Sequence, residues 1–310
     1  MLKVIFLGQK KVGEKCFQLL MEEFSSFFSV VGVASNASRD VWWQSRDIFE
    51  VARNKNIPFI DNSNKAENEI IELMDQTRPD ILFSVQHSWI LSPAVLKRVN
   101  YNAFNLHNAR LPDYKGFNAC AHVILNGEKD FSCTLHWLAD AVDAGDIAFE
   151  GNFKLNPDDT AMSIYDKAEE SGFKIFRNLL LNLKDGYNIP RMAINGKGVF
   201  YPRNSIKGLN HISDENNFEE VDKKSRAMFF PPFEMAYVKK GHYKFYISHH
   251  AGFLNKKEQK FRSNEQMIRE VDFSRPPEEV NFLVNNAFIS SIEPAYYFLN
   301  GKKFFVLPDK

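Results

Sequence analysis

NAFNLHNARLPDYKGFNACAHVILN, residues 102–126, reads as a strand, a polar loop and a helix. In extended backbone successive side chains alternate between faces, so Phe104 and Leu106 turn inward while Asn105 and His107 share the other face near the strand's carboxyl end. Pro112 and Gly116 then force a turn, and Asn118 is placed to cap a helix through Val123 and Ile124. That order is how open α/β sheets build sites beyond the carboxyl ends of their strands.

Reading outward, the same order recurs. Residues 3–7 are a continuous apolar run ending at Gly8, after which Val12, Cys16, Leu19 and Leu20 recur at helical spacing. This is similar to a mononucleotide-binding opening, but Gly8 and Gly13 are too far apart for GxGxxG, and no GK[ST] is present. Lys10 and Lys11 lie beside the expected helix N-terminus, where backbone donors and the helix dipole favour an anion. Residues 30–34, 57–60 and 80–85 are expected strands, and residues 42–54 and 64–76 expected helices. The strand at 80–85 ends in Gln86, His87, Ser88 and Trp89, before a helix begun by Pro93. Residues 131–138 and 147–153 are two further strands around an acidic, Gly145-containing loop, and residues 160–183 form a long helix. The alternation predicts an α/β fold, a Rossmann-like, mostly parallel doubly wound sheet. Residues 187–209, rich in Gly, Pro and Asn, read as a linker. The expected division is therefore an N-terminal domain at 1–186 and a small β-rich C-terminal domain at 210–310, with hairpin turns at 239–241 and at Asn300-Gly301.

With 310 residues, 44% of them hydrophobic, the chain has ample material for two cores. Lys plus Arg equals Asp plus Glu at 39 each, and the carboxyl-terminal part is nearly balanced as well, so no global field draws nucleic acid or an anionic membrane. Three cysteines without CxxC spacing read as reduced thiols, and no apolar run approaches the roughly 20 residues that span a bilayer. A cytoplasmic protein without membrane or nucleic-acid partner is expected. No histidines stand at metal-ligand spacing with a carboxylate, and the adjacent pair His249-His250 reads as exposed rather than ligating.

The chemically expressive set is Asn105, His107 and Asp143: an amide donor, a base that titrates near neutrality, and a carboxylate able to orient that base. No nucleophile accompanies them. Ser88 lacks a GxSxG elbow, and Cys120 and Cys133 have no cationic helix-terminal setting. What remains is direct transfer of an activated acyl group to a bound nucleophile.

Asn105-Leu106-His107, the LPDYKG at 111–116 and the VDAGDI at 142–147 resemble, in order, the Asn-x-His, L-P-x-Y/W-R/K-G and D-x-G motifs of formyltransferases that use 10-formyltetrahydrofolate. The resemblance implies that Asn105 and His107 hold the formyl oxygen, that His107 takes a proton from the attacking amine, and that Asp143 tunes His107. It implies 10-formyltetrahydrofolate as co-substrate, without a metal, its pterin between Gln86, His87, Ser88, Trp89 and Ile90 and the loop carrying Ala139, Asp140 and Ala141. HNARLPDYKGFNACAH is more similar to the branch acting on nucleotide-linked amino sugars, used in lipopolysaccharide and other surface glycans, than to the initiator-tRNA branch. The partner implied is a nucleotide-diphosphate amino sugar, met by Lys10, Asn108, Tyr114, Lys115, Asn118 and Arg203, with a homodimer left open. Methionyl-tRNA formyltransferase is the alternative, followed by a formyltetrahydrofolate hydrolase or a non-catalytic nucleotide-sugar binder.

Overall fold

The computed structural model describes residues 1–37, 47–61, 67–213, 215–248, 271–289 and 295–308. The start of the expected helix at 42–54, the first residues of that at 64–76 and the pair His249-His250 lie outside the described residues. The first elements are β1 (Leu2–Gly8), α1 (Lys10–Met21), β2 (Phe28–Ser35), α2 (Asp47–Asn54), β3 (Phe59–Asp61), α3 (Glu67–Thr77), β4 (Ile81–Val85), α4 (Pro93–Lys97) and β5 (Ala103–His107). They are followed by β6 (Lys115–Gly116), α5 (Ala119–Leu125), β7 (Asp130–Trp137), β8 (Ile147–Lys154), α6 (Ala161–Lys184) and β9 (Phe200–Tyr201).

Seven strands form one sheet in the order β3-β2-β1-β4-β5-β7-β8. The pairs from β3 to β5 are parallel, whereas β7 and β8 run antiparallel to their neighbours. Parallel strands covered on both faces must be apolar throughout, and Val4 to Leu7 and Ile81 to Phe83 are buried as that requires. The switch point, where strand order changes direction, lies between β1 and β4. There α1 packs closely: a Cβ on Gly13 would stand 3.2 Å from the Gly8 backbone and 3.4 Å from the Val85 carbonyl, so glycine lets helix and strand approach.

One face of the sheet buries Val12, Cys16 and Leu20 of α1, Ile48 and Ala52 of α2, and Phe176, Leu179 and Leu180 of α6. The other buries Ile70 and Met74 of α3 and Val95 and Leu96 of α4. Phe83 anchors the first face, edge-on to Phe176 at 5.2 Å between centroids and 6.2 Å from Phe104.

The remaining elements are β10 (His211–Ile212), α7 (Phe218–Ala227), β11 (Tyr237–Lys240), β12 (Tyr243–Ser248), α8 (Pro277–Ile289), β13 (Ala295–Leu299) and β14 (Lys302–Pro308). They build a five-stranded sheet, β10-β11-β12-β14-β13. Both expected hairpins form, and Asn300 and Gly301 take positive φ, 49° and 76°, as the tight primed turn demands. Phe245, Ile247, Phe304 and Val306 are fully buried in this sheet, and Phe218 of α7 stands edge-on to Phe304.

The chain resolves into two compact units, divided differently from the expected 1–186, 187–209 and 210–310. The first comprises Met1–Ala119, Lys129–Leu155 and Tyr165–Pro202, the second Cys120–Glu128, Asn156–Ile164 and Arg203–Lys310. Most of the expected linker is tied into the first unit: Trp137 Nε1 donates to the Pro190 carbonyl at 2.8 Å, Met192 pairs with Ile147, and β9 pairs with β6. In the second unit, Arg226 donates to the Asp159 carbonyl at 3.1 Å and to Asp222 at 2.8 Å, while Lys302 reaches Asp222 at 2.6 Å. Among the described residues no helix is long and apolar enough to cross a membrane.

Because Phe176 is fully buried against Phe83, Phe176→Ala is expected to lower unfolding stability by about 3–5 kcal/mol, the usual loss for a buried phenylalanine that leaves a cavity. Urea denaturation followed by circular dichroism checks this.

Candidate active site

Alternation along β5 buries Phe104 and Leu106 and leaves Asn105 and His107 half-buried on the opposite face. Strand pairing sets their neighbours. Ser84 of β4 and His136 of β7 lie opposite Asn105, and Thr134 lies opposite His107. The Ser84 hydroxyl donates to Asn105 Oδ1 at 2.8 Å, and Asn105 Nδ2 stands 3.0 Å from His136 Nε2. His136 Nδ1 is 2.9 Å from the Trp137 carbonyl, which only accepts, so Nδ1 carries the proton and Nε2 receives the Asn105 amide. The second Nδ2 hydrogen of Asn105 is not used by either of these bonds.

The same logic fixes His107. Its Nε2 lies 2.9 Å from the Tyr114 carbonyl and therefore donates, which leaves Nδ1 with the lone pair. Asp143 sits between the two rings, its oxygens 4.0 Å from His107 Nε2 and 3.7 Å from His136 Nε2. Its Oδ2 also accepts the Gly116 N–H at 3.2 Å. The structure thus brings Asn105, His107 and Asp143 together. Asp143 faces His107 without a short hydrogen bond to it, because the Tyr114 carbonyl accepts the Nε2–H. Asp143 is itself left-handed at φ 50°, and the turn carrying it presses onto β7 so tightly that a Cβ on Gly145 would overlap the Trp137 carbonyl. The buried His136 is held neutral, its pKa lowered to about 4 by burial, with Asp143 opposing and His107 adding to the shift.

The loop between β5 and α5 supplies the Tyr114 carbonyl and the Gly116 amide, and β9 holds it. Lys115 N–H donates to the Val199 carbonyl and Phe117 N–H to the Tyr201 carbonyl. The Tyr201 ring stacks on Tyr114 at 5.7 Å and 14°. Gly116 has φ 86°, and a side chain there would run into the Tyr201 carbonyl.

Tyr114, expected to meet an acceptor, is only 2% exposed; its ring stands edge-on to Phe131, and its carbonyl serves His107 instead. Lys115 Nζ donates to the Lys197 carbonyl at 3.1 Å. Asn118, expected as a helix cap, has φ 59° rather than the extended backbone of a capping residue. Asn108 is buried, with both amide atoms lacking a hydrogen-bond partner. Lys10 Nζ donates to Gln86 Oε1 at 3.0 Å, and Arg203 belongs to the second unit.

Of the residues expected around a pterin, His87 accepts the Trp89 N–H at Nδ1, 3.3 Å away, and stands edge-on to its ring. Its Nε2 is buried without a partner, and burial lowers its pKa to about 3. Trp89 packs against the same core cluster as Leu138 and Tyr101, and the Tyr101 hydroxyl donates to Asp140 at 2.8 Å. Ser88 and Ile90 continue the first loop, Ile90 largely exposed, and Ala139 and Ala141 flank Asp140 in the second. Among the described residues no group of His, Cys, Asp or Glu is placed to hold a metal.

Sequence reasoning missed Ser84 and His136. The available signal was a histidine at an alternate position of a buried strand, just before the acidic loop.

His136 and His87 stay neutral in the folded chain where unfolded histidines, near their ordinary 6.5, bind a proton. Stability is therefore expected to be full above about pH 6.5 and to fall as the pH drops toward 4. Urea midpoints across that range check it, and His136→Gln should shallow the slope.

A family model described as "Formyl transferase" matches residues 2–180. A methionyl-tRNA formyltransferase of Clostridioides difficile is 24% identical over 241 residues, 76% of each chain. A GDP-perosamine N-formyltransferase of Brucella melitensis is 29% identical over 192 residues, 62% of this chain and 73% of its own. The fold matches an N-formyltransferase from Helicobacter canadensis, solved with folinic acid and dTDP-3-aminofucose, at TM-score 0.62 and 22% identity, covering 82% of this chain and 91% of that one. With more than half of its length under that model, the chain belongs to the formyl transferase family and is an enzyme of formyl transfer that draws on formyl-tetrahydrofolate.

Proposed function

We propose that this enzyme moves the formyl group of 10-formyltetrahydrofolate to the amino group of a nucleotide-linked amino deoxysugar, in the assembly of a surface glycan. The observation that carries the reading is the assembled set of Asn105, His107 and Asp143, with a half-buried amide hydrogen and an imidazole lone pair on one face. The first unit would carry this chemistry. The GDP-perosamine relative and the neighbour solved with an amino-sugar nucleotide support the acceptor class, as does the overall charge balance, since binding a tRNA backbone calls for a basic face.

The co-substrate supplies an activated formyl amide. Asn105 directs its remaining Nδ2 hydrogen at the formyl oxygen, where negative charge develops. His107 takes the proton of the attacking amine at Nδ1, because Nε2–H is already given to Tyr114. The resulting imidazolium is stabilised by Asp143 at 4.0 Å, and its new Nδ1–H returns the proton to the leaving nitrogen. Neutral His136 keeps the Asn105 amide turned toward the site. The buried, unpartnered atoms of His87 and Asn108 fit polar ligands in the neighbouring loops.

A methionyl-tRNA formyltransferase also matches 76% of the chain, so methionyl-tRNA is the competing acceptor. Purified enzyme given 10-formyltetrahydrofolate should formylate an amino sugar linked to dTDP, UDP or GDP; efficient turnover of methionyl-tRNA alone would overturn the assignment. His107→Asn and Asp143→Asn are each expected to lower kcat at least about a hundredfold, with little change in nucleotide-sugar affinity. Asn105→Ala should lose oxyanion stabilisation of roughly 3 kcal/mol. Steady-state kinetics on folded variants check all three.

A further inference from the structure

Lys10, the first residue of α1, and Gln86, the residue after β4, lie just beyond the carboxyl ends of β1 and β4, on either side of the switch point. Both hold left-handed backbone without being glycine, at φ 62° and 54°, a conformation that persists only where surrounding contacts enforce it. Gln9 N–H donates to the Val85 carbonyl at 3.0 Å, and Lys10 Nζ donates to Gln86 Oε1 at 3.0 Å, so the two strand ends are tied together.

Behind Lys10 stands α6. The Tyr165 ring lies 5.5 Å from Nζ, and Glu169, 6% exposed, lies one helical turn further on. Burial raises the Glu169 pKa and the nearby Asp166 carboxylate adds to the rise, while the Tyr165 hydroxyl, the Lys10 ammonium and the Val12 N–H oppose it. A buried carboxylate demands a cation. The Lys10 ammonium is the cation whose charge acts on Glu169, whereas Lys11 and Lys15 act on Asp166. An acceptor phosphate at Lys10 would have to compete with Gln86 and Glu169 for the same ammonium.

We propose that Lys10 and Glu169 are positioning residues for the formyl donor: Lys10, backed by Glu169, holds Gln86 and the loop at residues 86–90 in the conformation that receives the pterin, and does not meet the acceptor's phosphates. This rests on placing the pterin at residues 86–90, as the sequence resemblance implies, and it replaces the expected role of Lys10.

The test is calorimetric binding of folinic acid, an unreactive donor analogue, together with KM values for donor and acceptor on variants whose thermal melts match wild type. Lys10→Met and Gln86→Met should each weaken folinic acid about tenfold and raise the donor KM, leaving the acceptor KM within about twofold. The double variant should be no weaker than either single one, because all three cut the same link. Lys10→Arg should recover most of the loss, and Glu169→Gln should show part of it. If Lys10→Met fails to fold, Gln86→Met cuts the bond from the other side. Fully additive losses, or a raised acceptor KM with unchanged folinic acid binding in Lys10→Met, would overturn the proposal. Trp89→Ala distinguishes the pterin site from the clamp behind it. Unchanged folinic acid binding there removes the pterin from this loop, whereas weakened binding there with none in Lys10→Met refutes the clamp alone.

Discussion

A row of three polar side chains crosses the buried centre of the seven-stranded sheet: Ser84, Asn105 and His136, contributed by adjacent strands in register. Each satisfies the next, hydroxyl to amide oxygen and amide nitrogen to imidazole. A buried polar group left unmatched costs more than a matched one contributes, so this row tolerates little slippage. A one-residue shift of β5 would send Phe104 and Leu106 to the site and Asn105 and His107 into the core. The register and the site are therefore one constraint.

Around that row, orientation comes from backbone rather than from further side chains. The Tyr114 carbonyl sets the His107 tautomer and the Gly116 amide steadies Asp143. Both lie on the loop that β9 grips from residues late in the chain. Backbone groups suit this work, since they carry no rotamer freedom once the loop is held. Glycine at 116 is required twice, for its positive φ and for the space taken by the Tyr201 carbonyl.

The apolar core follows the same economy. Phe6, Phe28, Phe83 and Phe104 face the helices on one side of the sheet, and α3 and α4 close the other. The segments carrying His107, Gln86 and Lys10 are thereby left at the sheet's carboxyl edge, where open parallel sheets place their ligands.

Much of this was legible in the residues alone. Apolar runs and helical spacing determined the doubly wound sheet, and the Asn300-Gly301 dipeptide determined its hairpin, because side-chain period and turn chemistry are local properties. Asn-x-His on a strand end and the acidic turn at 143 marked the site's members in the same way. Tertiary structure decided the rest. That His136 completes the row depends on antiparallel pairing between strands separated by a whole helix. That Tyr114 offers its carbonyl while its ring is buried depends on Phe131 and Tyr201. That residues 190–202 are bound into the first unit depends on backbone bonds to Ile147 and β6. That Lys10 turns to Gln86 depends on strand neighbours far apart in sequence. Local pattern tells each residue which face it prefers; only the folded chain, where non-local partners meet, decides what that face touches.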